Sequence, residues 1–367
     1  MVSVVKTGVP SPRFELGIED QVFCPSALAP MQDVTGLPFM RVIARRGEPD
    51  LFFTEFFRVH VNSRLSPEIL SSIIENPTAK PVYAQIIGEN ISDIKRTILD
   101  LKKYPIAGVD LNMGCPAPRV YKKNVGGGLL RDPEKVNSIL SEMRSNIEGN
   151  LTVKMRIGFD DDRNFDEILK AIKINQVNLL SIHVRTVTGG YNSAPDYTYV
   201  SKAVQYLDGH CPVLVNGSIE TAEQANNLKV KLGTRGVMIG RAAIRNPWIF
   251  RQIREIASGL PPFIPTRKNV HEYCVELYNE LSTPRMDDKR LVSRIKKFLN
   301  YVGQSIDKDG VFLREMRRSS TKNELFSVFD RHLSNDSNGY LEILPEPLIS
   351  FGKGSSADCA SGNIGCK

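Results

Sequence analysis

Ile106-Ala107-Gly108-Val109-Asp110-Leu111-Asn112-Met113-Gly114-Cys115-Pro116 is the stretch on which the reading of this 367-residue chain turns. An apolar run, Ile106 to Leu111, ends abruptly in a polar Asn, a Gly and a Cys held against a Pro. That is the pattern of a buried strand opening onto a loop that presents side chains instead of packing them. Pro116 fixes its own φ and restricts Cys115, the residue before it, to extended conformations, so the thiol is aimed. Gly126-Gly127-Gly128 follows about a dozen residues on. Two readings of Cys115 stand at this level: a reactive thiol, or a small buried hydrophobe at a tight turn.

Seven further apolar runs frame this one: Val22–Ala29, Leu51–Thr54, Val82–Ile87, Leu151–Met155, Leu179–His183, Pro212–Val215 and Gly236–Ile239. Amphipathic segments such as Glu134–Met143, Phe165–Ile174 and Glu220–Leu228 lie between them. Strands alternating with helices at this rhythm mean βαβ units and a parallel sheet. Eight units in about 225 residues is the count and size of a closed (β/α)8 TIM barrel, with a doubly wound sheet as the alternative.

The unusual residues fall at the ends of these runs. Pro30, Met31 and Gln32 follow the first, Glu55 and Arg58 the second, and Gln85 lies in the third. Asn112 and Cys115 follow the fourth, Lys154 and Arg156 close the fifth, and His183 and Arg185 the sixth. Asn216-Gly217-Ser218 follow the seventh and Gly240-Arg241 the eighth. In a barrel these C-terminal ends converge on the face where active sites are built, and Gly turns after strands seven and eight present backbone N–H groups to a phosphate. Arg241 adds a charge-assisted contact. A buried Lys154 ammonium is costly without a partner, which favours a role for it. His183 is also readable as a satisfied core histidine, and Arg156 as the partner of a carboxylate such as Asp110.

Beyond Trp248 the character changes. Leu260-Pro261-Pro262 and Pro265 mark a linker, after which His271–Leu281, Asp288–Val302 and Thr321–Leu333 read as helices. In the middle one Leu291, Ile295, Phe298 and Val302 form an apolar stripe, and Arg290, Arg294 and Lys297 share an adjacent face. The expected organisation is an N-terminal extension (1–22), the barrel (23–258), a smaller C-terminal all-helical domain (259–340) and a disordered Gly/Ser-rich tail (341–367). Composition is ordinary for a soluble globular protein, at 41% hydrophobic and 24% charged. No apolar run reaches the ~18 residues that span a bilayer, and Met1 to Gly8 lacks a signal-peptide core. Six cysteines without paired spacing read as reduced thiols. A cytoplasmic monomer is expected, an organelle being the other possible compartment. The net charge is +7, and 16 Lys and Arg against 11 Asp and Glu between Arg251 and Arg331 carry much of it. That suits a polyanionic partner; a solvated charged face gives the same count.

Taken together, these residues resemble the tRNA-dihydrouridine synthase family of flavoenzymes. The matching motifs are Ala29-Pro30-Met31, Thr54-Glu55-Phe56, Asp110 to Pro116, Val153-Lys154-Met155-Arg156-Ile157-Gly158, His183-Val184-Arg185-Thr186, Asn216-Gly217-Ser218-Ile219 and Met238-Ile239-Gly240-Arg241-Ala242. They are collinear and span residues 29 to 242. Arg294-Ile295-Lys296-Lys297-Phe298 is similar to the family's basic helical motif, with Phe298 where that motif usually has His. The resemblance implies an FMN-binding barrel, a helical domain that grips tRNA, and reduction of the uracil C5–C6 double bond with NADPH or NADH as reductant. It implies Cys115 as general acid and no metal. Pro30, Met31, Gln32, Gln85 and Lys154 are then expected around the flavin ring. His183, Asn216, Gly217, Ser218, Gly240 and Arg241 are expected at its phosphate. Asn112 and Arg185 are expected on the uracil edge, with Arg290, Arg294 and Lys297 against tRNA phosphates. A flavin barrel acting on a free pyrimidine, a Schiff-base aldolase using Lys154, and a non-catalytic tRNA-binding protein are the competing readings.

Overall fold

The computed structural model of the chain describes residues 25–284 and 286–333. The expected 1–22 extension and 341–367 tail lie outside the described residues. Nine strands appear in chain order: β1 (Ser26–Leu28), β2 (Phe52–Phe53), β3 (Phe57–Arg58), β4 (Val82–Ile87), β5 (Gly108–Met113), β6 (Asn150–Arg156), β7 (Leu179–His183), β8 (Val213–Asn216) and β9 (Gly236–Ile239). Between them run α1 (Leu37–Gly47), α2 (Pro67–Ile74), α3 (Ile91–Leu101), α4 (Pro118–Tyr121), α5 (Pro133–Asn146), α6 (Phe165–Ile174), α7 (Thr198–Leu207) and α8 (Ala222–Leu232). α9 (Arg241–Arg245) and α10 (Ile249–Ala257) follow the last strand. All strand pairs are parallel, in the order β1-β9-β8-β7-β6-β5-β4-β2, with β3 also on β4. The Ala27–Leu51 bridge and the Leu51 N–H to Ser26 carbonyl bond join the two ends of that order. This is the (β/α)8 barrel that the alternation of runs predicts. All eight expected runs carry strands. β3 is the addition: two residues pairing with Ile86 and Ile87, too short to leave a periodic signal.

Register explains the interior. Residues that pair laterally on neighbouring strands face the same side, and side chains alternate along each strand. Val82, Ala84 and Ile86 therefore pack outward into the main core under the helices, while Tyr83 and Gln85 point inward. Ala27, Leu51, Phe53, Tyr83, Leu179, Leu214 and Met238 make a separate small core inside the barrel. Nearer the C-terminal ends of the strands, the inward positions turn polar: Gln85, Asp110, Asn112, Thr152, Lys154, His183 and Asn216, in pairings that include Gln85–Asp110–Thr152, Asn112–Lys154 and His183–Asn216. Burying that many polar groups is tolerable only where they bond to one another or to a ligand.

After an extended segment come α11 (Arg267–Leu281), α12 (Asp288–Val302), α13 (Val311–Arg318) and α14 (Lys322–Leu333). A capping box, Thr266 with Asn269, starts α11. Tyr273 on α11 donates its hydroxyl to the Ile244 carbonyl at 2.8 Å, tying these helices to the barrel. Leu291, Ile295, Phe298 and Val302 are buried along one side of α12. Phe298 packs on Phe39 of α1 with ring centres 5.6 Å apart, so this position serves packing. Among the described residues no helix is long and apolar enough to cross a membrane.

Candidate active site

β5 delivers the loop that carries Cys115. Asn112, at the strand's end, accepts from the backbone N–H of Gly114 (3.0 Å) and of Cys115 (2.6 Å). The Cys115 carbonyl in turn accepts from Gly127 N–H at 3.1 Å, which docks the Gly-rich 3₁₀ turn against the loop. Gly126 has φ +58°, and a Cβ there would stand 2.9 Å from Ile87, 3.0 Å from Val120 and 3.1 Å from Cys115. Only glycine fits that approach. The Cys115 thiol is half-buried and unpaired, and burial raises its pKa above the ordinary thiol value despite the Ala117 N–H and the nearby Arg58, Arg119 and Arg156. It is a protonated thiol at neutral pH.

Beneath the loop, Asn112 donates to Gln85 Oε1 at 2.8 Å and Gln85 donates to Asp110 at 2.7 Å. Thr152 donates to the other oxygen of Asp110 at 2.7 Å. Burial pushes the Asp110 carboxyl up to about 6, against the pull of these hydrogen bonds and of Lys154. Burial, with Arg156 adding to it, brings Lys154 down to about 8. Arg156 does not pair with Asp110, so the alternative reading of it as a carboxylate's partner does not hold for that residue. Its guanidinium donates to the carbonyls of Gly114 (2.8 Å) and Thr186 (2.9 Å), bracing the Cys115 loop against the loop after β7.

On the opposite arc, His183 is buried, and burial together with Arg156, Lys154, Arg185 and Arg241 drives its pKa well below the usual imidazole value, so the ring is neutral. Its Nδ1 has no hydrogen-bond partner, and neither has Nη1 of Arg185, among the described residues. The rest of the Arg185 guanidinium is fixed by the Ser193 carbonyl and the Ser218 hydroxyl, each at 2.7 Å. Asn216 donates to the Met238 carbonyl at 2.7 Å, joining β8 to β9. Gly217 has φ +109°, and a Cβ there would stand 3.2 Å from His183 Nε2; Ser218 follows at φ +52°. This tight turn brings backbone close to the His183 ring. Gly240 precedes Arg241 beside Met31. Tyr191, from the loop after β7, lies under Arg241 (4.3 Å) and edge-on to His183 (6.0 Å).

Pro30, Met31 and Gln32 lie on the loop after β1 at the same end of the barrel. Met31 is pinned by its N–H to Thr35 Oγ1 at 2.8 Å. Gln32 is exposed and donates to Glu55 at 2.8 Å, as does the Asp33 N–H at 2.9 Å. Burial, with Asp33 and Glu68 opposing its charge, lifts Glu55 to about 7. α12 borders this rim: Lys297 sits 3.6 Å from Asp33, and Arg294 3.6 Å from Glu68. Arg290 stands further out, exposed, beside Asp287. The fold thus gathers Gln85, Asn112, Cys115, Lys154, His183, Arg185, Asn216–Ser218 and Gly240–Arg241 at one barrel end. Arg294 and Lys297 stand at its margin, and Arg290 apart. Sequence reading passed over Thr152 and Tyr191 as site residues and gave Asp110 no role toward Cys115. Only the alternation along β5 and β6, which puts Asp110 and Thr152 on the inner face, signals two of them. Among the described residues no His, Cys, Asp and Glu cluster is arranged to hold a metal ion.

What fold and site define together is a barrel enzyme whose C-terminal strand ends hold a thiol, a desolvated lysine and a cation-lined seat. Residues 27–337 match the family model for dihydrouridine synthases. The chain is 28% identical over 291 residues to the tRNA-dihydrouridine(16) synthase of Neisseria meningitidis, covering 76% of this chain and 86% of that protein. It is 29% identical to the tRNA-dihydrouridine(16) synthase of Shewanella oneidensis, covering 83% and 96% respectively. It is 32% identical to a probable tRNA-dihydrouridine synthase of Staphylococcus aureus, covering 61% and 70%. The chain belongs to the dihydrouridine synthase family and is an oxidoreductase.

Proposed function

We propose that the chain is a tRNA-dihydrouridine synthase that reduces the C5–C6 double bond of a uridine in tRNA, with FMN as resident cofactor and NADPH or NADH as reductant. The observation that carries the reading is Cys115, a protonated thiol on a tethered loop at the open end of a cation-lined barrel. The residues present fit a phosphorylated flavin. His183 Nδ1, a ring nitrogen, and Arg185 Nη1, a guanidinium donor, are buried and still without partners, and Lys154, Arg156, Arg185 and Arg241 give the seat a positive field. Asn216, Gly217, Ser218, Gly240 and Arg241 would hold the phosphate, and Pro30, Met31, Gln32, Gln85 and Lys154 the ring. Once reduced by the nicotinamide, bound FMN would supply the hydride to uracil C6.

The chain's own part is to position the base and deliver a proton to C5. Cys115 Sγ–H is the donor, and the thiolate left behind is stabilised by Arg58, Arg119 and Arg156. Arg185 Nη1 and the remaining amide N–H of Asn112 are available to the uracil oxygens, which requires an unstacked, flipped base. Arg290, Arg294 and Lys297 would meet tRNA phosphates at the rim. The test is anaerobic incubation of the FMN-loaded protein with NADPH and unmodified tRNA, read as a two-hydrogen mass gain in uridine. Two relatives carry position 16 in their names, so U16 is the first position to map. Brisk NADPH oxidation that leaves all tRNA unmodified would refute the reading.

Lys154, depressed to about 8, would also suit a Schiff base, but the match to the dihydrouridine synthase family over residues 27–337 weighs against an aldolase. Borohydride trapping of a carbonyl substrate on Lys154 would support an aldolase, and a colourless preparation that binds no flavin would accompany it.

A further inference from the structure

The four hydrogen bonds beneath Cys115 run in one direction. An ionised carboxylate only accepts, so Asp110 obliges Gln85 to turn its amide nitrogen toward it. Gln85 then has only Oε1 to offer Asn112, which must present its own nitrogen. Asn112 is left with Oδ1 facing the loop, where it accepts from Gly114 and Cys115 N–H. Each amide's orientation is dictated by the one before it, and the sequence of dependence starts at the carboxylate. Gln85 and Asp110 are fully buried, Thr152 is 1% exposed and Asn112 7%, so water does not substitute for a missing link. The register places Gln85, Asp110 and Thr152 side by side on β4, β5 and β6, with Asn112 one inward position further along.

We infer that Asp110 is a positioning residue for Cys115, acting through Gln85 and Asn112 to set the polarity of a hydrogen-bonded chain that clamps the thiol-bearing loop. Thr152 supports it by occupying the second carboxylate oxygen, which leaves one oxygen for Gln85. The catalytic meaning of the clamp rests on the reading of Cys115 as proton donor; the clamp itself does not. Without it, the Gly114 and Cys115 N–H groups lose their acceptor and the thiol loses its fixed direction.

The test reads the loop without substrate or cofactor turnover. Amide hydrogen exchange of the Leu111–Pro118 segment is compared in the full chain and in Asp110→Leu, Asp110→Asn and Gln85→Met. In Asp110→Leu and Gln85→Met the chain is cut, and exchange at Gly114 and Cys115 should accelerate about tenfold or more, as loss of a structural hydrogen bond implies. The amides of β7 to β9 should keep their native rates. Asp110→Asn can still turn its oxygen toward Gln85 and its nitrogen toward Thr152, so it should stay within about threefold of native. Iodoacetamide labelling of Cys115 at fixed pH should follow the same order. Native protection of Gly114 and Cys115 in Gln85→Met would overturn the inference, even where Asp110→Leu fails to fold. Equal loss of protection in Asp110→Asn, or loss throughout the barrel in Gln85→Met, would overturn it as well. If the loop responds as stated while tRNA reduction is absent in the native protein, the functional reading fails and the clamp stands.

Discussion

If Cys115 is the proposed proton donor, replacing it by Ala isolates the proton-transfer step. The change removes Sγ alone. The loop keeps its bonds from Gly114 and Cys115 N–H to Asn112 Oδ1 and from Gly127 N–H to the residue-115 carbonyl, none of which uses the side chain of residue 115. The thiol is only partly buried and small, so its loss opens no large cavity and should cost about 1 kcal/mol of stability. A positioned general acid contributes about 10²- to 10⁴-fold, equivalent to roughly 3–5 kcal/mol of barrier. Cys115→Ala should therefore bind FMN and accept electrons from NADPH at native rates, while flavin reoxidation by tRNA slows by that factor. Anaerobic stopped-flow at the flavin absorption band separates the two half-reactions. The pH profile adds a second readout. Burial raises the thiol's pKa, so the acid form persists past the ordinary thiol range, and the native tRNA step should stay flat through neutrality and fall only above that range. Cys115→Ala should lack this alkaline limb. Reoxidation within about threefold of native would refute the assignment of Cys115 as acid.

Neutralising Arg290, Arg294 and Lys297 together should weaken tRNA binding while flavin content stays native. It should lower the slope of log affinity against log salt by up to about 2–3, and an unchanged slope removes these residues from the RNA surface. Gly126→Ala should lower stability by about 2–4 kcal/mol, from the left-handed backbone and the 2.9–3.1 Å contacts with Ile87, Val120 and Cys115, and thermal unfolding measures it. Lys154→Met should raise the melting temperature of the cofactor-free protein at pH 7. Folding holds the ammonium at about 8, below its free value, so the native state binds fewer protons between pH 8 and about 10.5 and native stability rises with pH across that window. The advantage of Lys154→Met, roughly 2–3 kcal/mol at pH 7, should shrink to near zero by pH 10.5.

The barrel was legible because a parallel strand buried on both faces must be an apolar run, and eight such runs alternate with amphipathic segments between Ser26 and Ile239. The apolar stripe of α12 was legible for a similar reason: Leu291, Ile295, Phe298 and Val302 repeat at helical spacing and are all buried. The site's membership was partly legible, since polar residues at strand ends conflict with packing. Its wiring was not. That Asp110 bonds Gln85 and Thr152 instead of Arg156 depends on lateral register among three strands separated by 25 and 42 residues, which no local pattern encodes. β3 exists only because Phe57 and Arg58 meet Ile86 and Ile87 across the sheet. Lys297 and Arg294 face Asp33 and Glu68 because α12 docks beside the β1 loop and the start of α2, contacts spanning more than two hundred residues. The sequence by itself determined which runs are buried and where polar residues interrupt them at the strand ends, because apolar character and local period are properties of neighbouring side chains along the chain. Only the tertiary structure decided which of them bond to one another, because hydrogen bonds and ion pairs act over about 3–4 Å and are set by register and docking.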